Sequence, residues 1–258
     1  MTEMQDFYKQ VMELNSLQDM QERKKKARSL FGNLKNQDIP EYFNWAEEIF
    51  EGIHVRERGD QKALIWADME SGEEKSYTYR EFAENGNKCL NFIRRQGLDK
   101  GSNLYLMSPI VPETWFAHYA AAKGGLIAVP TATSMTVREL KFRFETYPPD
   151  VIVADQSAIQ SIDEALENAN TQPSVKIVLG EGKGWTSYAE IDQEAKDAQP
   201  AKLHRQDLLF CFFTSGTTGM PKRVGHTASS YPVGHLSTAV MIGIQPGDIH
   251  HNLSAPGW

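Results

Sequence analysis

Between residues 104 and 213 the sequence alternates short apolar runs with longer amphipathic stretches, and this alternation restricts the fold more than any other feature. The runs at 104–107, 126–129, 151–154, 175–179 and 208–213 are too short for helices and read as buried strands. The stretches at 112–123, 137–145, 157–168 and 187–198 read as helices between them. Repeated strand–helix units imply an α/β fold: a mostly parallel sheet flanked by helices on both faces. Ligands on such sheets bind beyond the carboxyl ends of the strands.

The local signals agree with this reading. Thr78 with Glu81 has the spacing of a capping box, opening a helix that stops at Gly97. Thr136 caps the 137–145 helix, and Gly124-Gly125 stops the 112–123 helix. Residues 63–67 and 74–79 read as a hairpin around Asp68-Met69-Glu70-Ser71-Gly72. Upstream, Phe7, Val11, Leu14, Leu17 and Met20 recur at helical spacing, giving one or two helices over 3–31. The basic run from Arg23 to Arg28 reads as a solvated helix face in preference to a membrane or acidic-partner contact. Residues 39–53 read as a helix that docks its aromatics on the main body. Further on, 227–242 reads as a helix weakened by Pro232 and Gly234, and 249–253 as a new strand. The sequence stops just after that strand with a terminal Trp258, which predicts that it is part of a longer chain.

One strand opens abruptly into a run of hydroxyls and glycines. After Leu208-Leu209-Phe210-Cys211-Phe212-Phe213 comes Thr214-Ser215-Gly216-Thr217-Thr218-Gly219-Met220-Pro221-Lys222. Two glycines allow a tight bend and close backbone approach to a ligand. Successive N–H groups in such a turn make an anion-binding concavity. Thr214, Ser215, Thr217 and Thr218 add hydroxyls that can donate to phosphate or offer oxygen to a hard cation. Lys222 supplies a mobile positive charge, and Pro221 stiffens the exit. Two residues separate Gly216 from Gly219, and Pro221 precedes Lys222, so this is not the Walker A pattern. Spacing alone leaves a polyphosphate cradle and a plain surface loop both open.

The nine residues together resemble the phosphate-loop signature of the adenylate-forming superfamily, which includes acyl-CoA synthetases, luciferases and the adenylation domains of peptide synthetases. Arg223 departs from that signature, which usually has Gly after the lysine. The similarity runs from about Tyr42 to Trp258. It includes the stretch 120–130, Gly225-His226-Thr227, Pro246-Gly247-Asp248 and Gly257-Trp258, and its wording is nearest to synthetases of short- to medium-chain or aromatic acids. The resemblance implies the incomplete large N-terminal domain of such an enzyme, with residues 1–36 a helical extension and 37–258 the first part of the AMP-binding domain. It implies an ATP-dependent acid–thiol ligase that activates a carboxylate as acyl-AMP and transfers it to CoA. Thr214 to Lys222 would hold the ATP phosphates, with Mg²⁺ met by a loop hydroxyl, taken as Thr217. The family's adenine-binding, ribose-binding and catalytic-lysine motifs fall beyond Trp258, so no catalytic residue is assigned, and this chain alone is expected not to complete the reaction. The alternatives are a non-catalytic nucleotide-binding module, an unrelated P-loop NTPase or a peptide-synthetase branch.

Charge and composition narrow the partners. A net charge of −7 argues against broad nucleic-acid binding. No apolar run approaches transmembrane length, which argues against stable membrane insertion. Only Cys89 and Cys211 are present, without metal or disulfide spacing, and the first residues lack a signal-peptide core; a cytoplasmic setting is expected. Cys211 and His118 read as core residues, His118 with its hydrogen bonds satisfied. Trp115 reads as core, while Trp115 and Trp258 are also candidate acyl-pocket walls. His250-His251 reads as a turn-flanking pair with no third metal ligand, and His226 either orients the loop or packs behind it.

Overall fold

The computed structural model describes residues 2–35, 38–214 and 221–252. Its centre is a seven-stranded sheet in the order β7-β6-β5-β3-β4-β8-β9. The strands are β3 (Asn103–Met107), β4 (Ile127–Pro130), β5 (Val151–Asp155), β6 (Val175–Leu179), β7 (Thr186–Ser187), β8 (Leu208–Thr214) and β9 (Lys222–Thr227). All neighbours pair in parallel except β8 and β9, which form an antiparallel hairpin.

Successive side chains on these strands enter opposite layers, as a pleated strand buried on both faces requires. Leu104, Leu106, Val151, Val153, Val175 and Ile177 pack in one layer under α4 (Tyr79–Arg95) and α5 (Pro112–Gly124). Tyr105, Met107, Ile152, Ala154 and Val178 pack in the other, under α6 (Val137–Thr146) and α7 (Ile159–Asn168). Each fully buried large apolar side chain contributes about 1.5–3 kcal/mol relative to exposure.

The helix boundaries follow their caps. Thr78 and Glu81 complete a reciprocal capping box on α4, and Thr136 and Glu139 do the same on α6. Pro112 opens α5, and Gly125 closes it at φ +70°, a left-handed turn that suits glycine. The hairpin strands are β1 (Lys62–Ala67) and β2 (Glu74–Thr78).

The N-terminal pair is α1 (Glu3–Ser16) and α2 (Met20–Asn33). Met4, Tyr8 and Val11 of α1 pack with Ile49 and Ile53 and with Leu236 and Val240 of α8 (Ser230–Ile242). Asn15 reinforces the contact by donating to the Ile244 carbonyl at 2.7 Å. On α2, Lys24, Lys25, Lys26 and Arg28 are exposed, so the basic run is a solvated face.

Three expectations are corrected. The helix read over 39–53 is a π-helix at Ala46–Val55 that runs into the single turn α3 (Arg56–Arg58). Asn44 fixes its start: its side chain accepts the Ala46 and Glu47 N–H groups and donates to the Lys123 and Ala201 carbonyls. The helix read over 187–198 is only a 3₁₀ turn at Tyr188–Gln193. Beyond it, Asn87, Asn91 and Arg94 of α4 take the carbonyls of Lys196, Ala195, Asp197 and Gln199, which holds the segment out of helical geometry. The strand read at 249–253 does not form over residues 249–252, where Ile249 is exposed and no strand lies alongside among the described residues. A smaller shift occurs at α8, which starts at Ser230, where the Ser230 N–H donates to Thr227 Oγ1 at 3.1 Å. Pro232 falls in its first turn, where a missing N–H costs little.

Candidate phosphate-binding site

Strands β8 and β9 converge on the glycine–hydroxyl run. Thr214 pairs directly with Lys222, and its Oγ1 donates to the Lys222 carbonyl at 3.4 Å. Ser215, Gly216, Thr217, Thr218, Gly219 and Met220 lie outside the described residues; Thr214, Pro221 and Lys222 frame the mouth of that segment. Thr214 and Lys222 are exposed there. The mouth stands at the carboxyl end of β8, the side of the sheet expected for a ligand.

Two arginines tie this hairpin to α6: Arg143, on α6 and absent from the sequence reading, and Arg223, noted there only as a departure from the family signature. Arg143 is 5% exposed and stacks its guanidinium over Phe213, 4.6 Å from the ring centroid. It also donates to Thr131 Oγ1 at 3.3 Å, and burial lowers its pKa from the ordinary arginine value. Arg223 on β9 lies over Tyr147, 5.0 Å from its centroid, and donates to the Thr146 carbonyl at 3.4 Å. Tyr147 is held in turn, because the Tyr105 hydroxyl donates to its carbonyl at 2.7 Å. Both arms of the hairpin are therefore tied to the end of one helix, next to the loop mouth. Arg143 was legible in principle, since it lies three residues after Leu140 and so shares the buried face of α6.

On the other side of β8 an aromatic ledge runs away from the mouth. Phe210 lies 4.2 Å from Tyr231, and Phe212 stacks on Phe210 at 5.6 Å between centroids. His226 packs edge-on against Phe212 and Tyr231. His118 sits between Trp115 and Phe210. Burial pulls its pKa down to about 4, which keeps the ring neutral near pH 7. Its Nε2 is buried without a hydrogen-bond partner among the described residues, which corrects the expectation of a satisfied core histidine. Trp115 is half-buried, and Trp258 lies outside the described residues. Cys89 and Cys211 are buried free thiols. His250 and His251 are exposed, and no group of metal-ligating His, Cys, Asp or Glu side chains occurs among the described residues. No helix among them is long and apolar enough to cross a membrane.

Comparison with known proteins matches this architecture. Residues 53–252 match the family described as AMP-binding enzyme. The chain is 42% identical over 216 residues to 4-hydroxybutyrate–CoA ligase 1 of Metallosphaera sedula, covering 84% of this chain and 37% of that protein. It is 27% identical over 228 residues to the mitochondrial acyl-coenzyme A synthetase ACSM3 of Homo sapiens, covering 85% of this chain and 39% of that protein. The anthranilate CoA ligase AuaEII, solved with anthranoyl-AMP, superposes with a TM-score of 0.69 at 25% identity, over 78% of this chain and 38% of its own. The fold is shared as well with acetoacetyl-CoA synthetase of Streptomyces lividans, at a TM-score of 0.73 and 20% identity over 80% of this chain and 34% of that one. The chain thus spans under half the length of the relatives it matches. On the extent of the family match and the identity to its relatives, this chain belongs to the AMP-binding enzyme family.

Proposed function

We propose that this chain is the phosphate-binding N-terminal part of an AMP-forming acid–thiol ligase. The observation that carries the reading is the braced hairpin mouth, where the exposed Lys222 and Thr214 flank a glycine–hydroxyl run in a chain of the AMP-binding family. The residues Thr214 to Lys222 cradle the phosphates of ATP, with Lys222 and the loop N–H groups neutralising the departing pyrophosphate. A carboxylate oxygen of the substrate attacks the α-phosphorus, the bond to pyrophosphate breaks, and acyl-AMP forms. The thiol sulfur of CoA then attacks the acyl carbon, releasing AMP. The Thr217 hydroxyl is the loop oxygen that would hold Mg²⁺, and a cation bound there would supply charge stabilisation for the phosphates. The substrate is a small carboxylic acid, and the relative at 42% identity favours short-chain hydroxy acids such as 4-hydroxybutyrate. In this reading residues 1–36 are a helical extension, residues 37–258 are the first part of the large domain, and the protein is cytoplasmic, in keeping with its free thiols.

The test is the protein purified from its native gene, examined by intact mass and then assayed with ATP, CoA and a carboxylate panel. A mass well above 29.1 kDa, with carboxylate-dependent release of AMP and acyl-CoA, is the expected result. Acyl-CoA formed by the pure 258-residue chain would overturn the division of labour. A native product of 29.1 kDa that binds ATP without forming acyl-CoA would replace the ligase by a nucleotide-binding module.

A further inference from the structure

A cleft of about 470 Å³ lies on the far side of the ledge, between α1, the π-helix with α3, the start of β8, and α8. Its volume falls within the roughly 300–1,000 Å³ of small-molecule sites. Met12, Phe210, Leu236 and Ala239 give it an apolar wall. At the α3 end the wall changes character. Arg58 is half-buried and has no hydrogen bond or ion pair to its guanidinium among the described residues. Its neighbours do not lack partners: Glu57 meets Lys9 and Arg56, and Arg80 meets Asp60.

His54 lines the same end, stacked on Tyr79 at 5.1 Å, with Nε2 at 3.0 Å from the Tyr8 hydroxyl. Its Nδ1 is buried with no partner among the described residues. Burial and the Arg58 charge hold its pKa down to about 4, so it adds no charge near pH 7. Asp248, the one carboxylate lining the cleft among the described residues, is exposed and accepts the Gln245 N–H at 2.8 Å. A half-buried guanidinium whose fork is unused among the described residues, at the end of an apolar cleft, matches a single carboxylate on an apolar tail. Phe210 precedes Thr214 by four residues on an extended strand, or about 13 Å at roughly 3.3 Å per residue, so this cleft is separate from the phosphate hairpin.

We infer that the cleft is an accessory binding site for an apolar monocarboxylate, with its carboxylate on Arg58 and its tail along Met12, Phe210 and Ala239. It holds the acid away from the phosphates, so it is a site of capture or regulation and is independent of the phosphate-loop assignment.

Octanoate is the probe, and 1-octanol is its uncharged control. Titration of the ¹³C-methyl-methionine protein, with the Met12 signal assigned by M12L, reads occupancy directly. Octanoate is expected to shift that methyl saturably and to bind at least about ten-fold more tightly than 1-octanol, the scale of one charge-assisted contact. Arg58→Gln should remove that preference, and Arg58→Lys should keep part of it. Ala239→Phe, which fills the cleft and leaves the charge, should abolish the shift. Lys222→Ala should leave octanoate binding unchanged, which separates this site from the phosphate hairpin. Equal binding of octanol and octanoate, undiminished binding in Arg58→Gln or Ala239→Phe with native circular dichroism, or loss of binding in Lys222→Ala would each overturn the inference.

Discussion

The substitution Glu51→Gln removes the counter-charge of the one lysine that this fold buries almost completely among the described residues. The Lys123 side chain is 3% exposed, and its Nζ lies 2.6 Å from Glu51 Oε1 and 2.8 Å from Asn87 Oδ1. The Tyr119 hydroxyl donates to the same Glu51 oxygen at 2.5 Å. The network joins α4, α5 and the π-helix, so it closes the layer of helices beneath which the sheet lies. Breaking one partner of a buried pair costs about 3–5 kcal/mol because the remaining charge is left uncompensated. Glu51 is 27% exposed, so water screens part of that loss, and glutamine keeps one oxygen acceptor. The expected cost is about 2–4 kcal/mol, or a fall of roughly 5–15 °C in Tm for a domain of this size. Urea unfolding and calorimetry read both quantities. The double variant Glu51→Gln with Lys123→Met should recover at least about 1 kcal/mol of that loss, because it removes the stranded ammonium. Stability of Glu51→Gln within about 0.5 kcal/mol of the native chain would refute the reasoning, since that is the range of an exposed pair.

Two buried histidines give a pH dependence. His54 and His118 each have a folded pKa near 4, below the ordinary 6.5, so the unfolded chain binds their protons first as pH falls. Their stabilisation is complete above about pH 6.5 and is lost between 6.5 and 4, at about 3 kcal/mol for His54. Histidine Cε1–H titration by NMR should place both midpoints near 4; ordinary midpoints near 6.5 would remove the effect. Gly86→Ala on α4 puts a Cβ 2.2 Å from Tyr119 Cδ1, and the overpacking should outweigh the gain in helix propensity, for a net loss of about 1–2 kcal/mol in urea unfolding.

Much of the fold was legible because the strands are buried on both faces and their apolar runs are short and bounded by turn residues. The capping boxes at Thr78 and Thr136 and the stop at Gly125 set helix ends through local chemistry that spacing exposes. The misread segments were decided by distant partners. Residues 195–197 lose their helix to side chains of α4 about a hundred positions earlier, and Asn44 fixes the π-helix by contacts with residues 123 and 201. The antiparallel turn of β9 was equally invisible, because the alternation rule describes crossovers and this hairpin has none. At the candidate site the nine-residue run stood out by composition. Its supports did not: Arg143 and Arg223 look like surface cations in sequence and become braces only when α6 lies beside the hairpin. Lys123 was hidden for the same reason, since burial of a lysine depends on carboxylate and amide partners from two other helices.

The measurement that tests the central claim most directly is calorimetric titration of ATP into this chain and into Lys222→Ala. Saturable binding to the native chain that weakens about ten-fold or more in Lys222→Ala, with unchanged circular dichroism, is the expected result, in line with loss of one charge-assisted phosphate contact. Equal affinity in the two proteins, or no binding to the folded native chain, would contradict the assignment of the hairpin as the phosphate site.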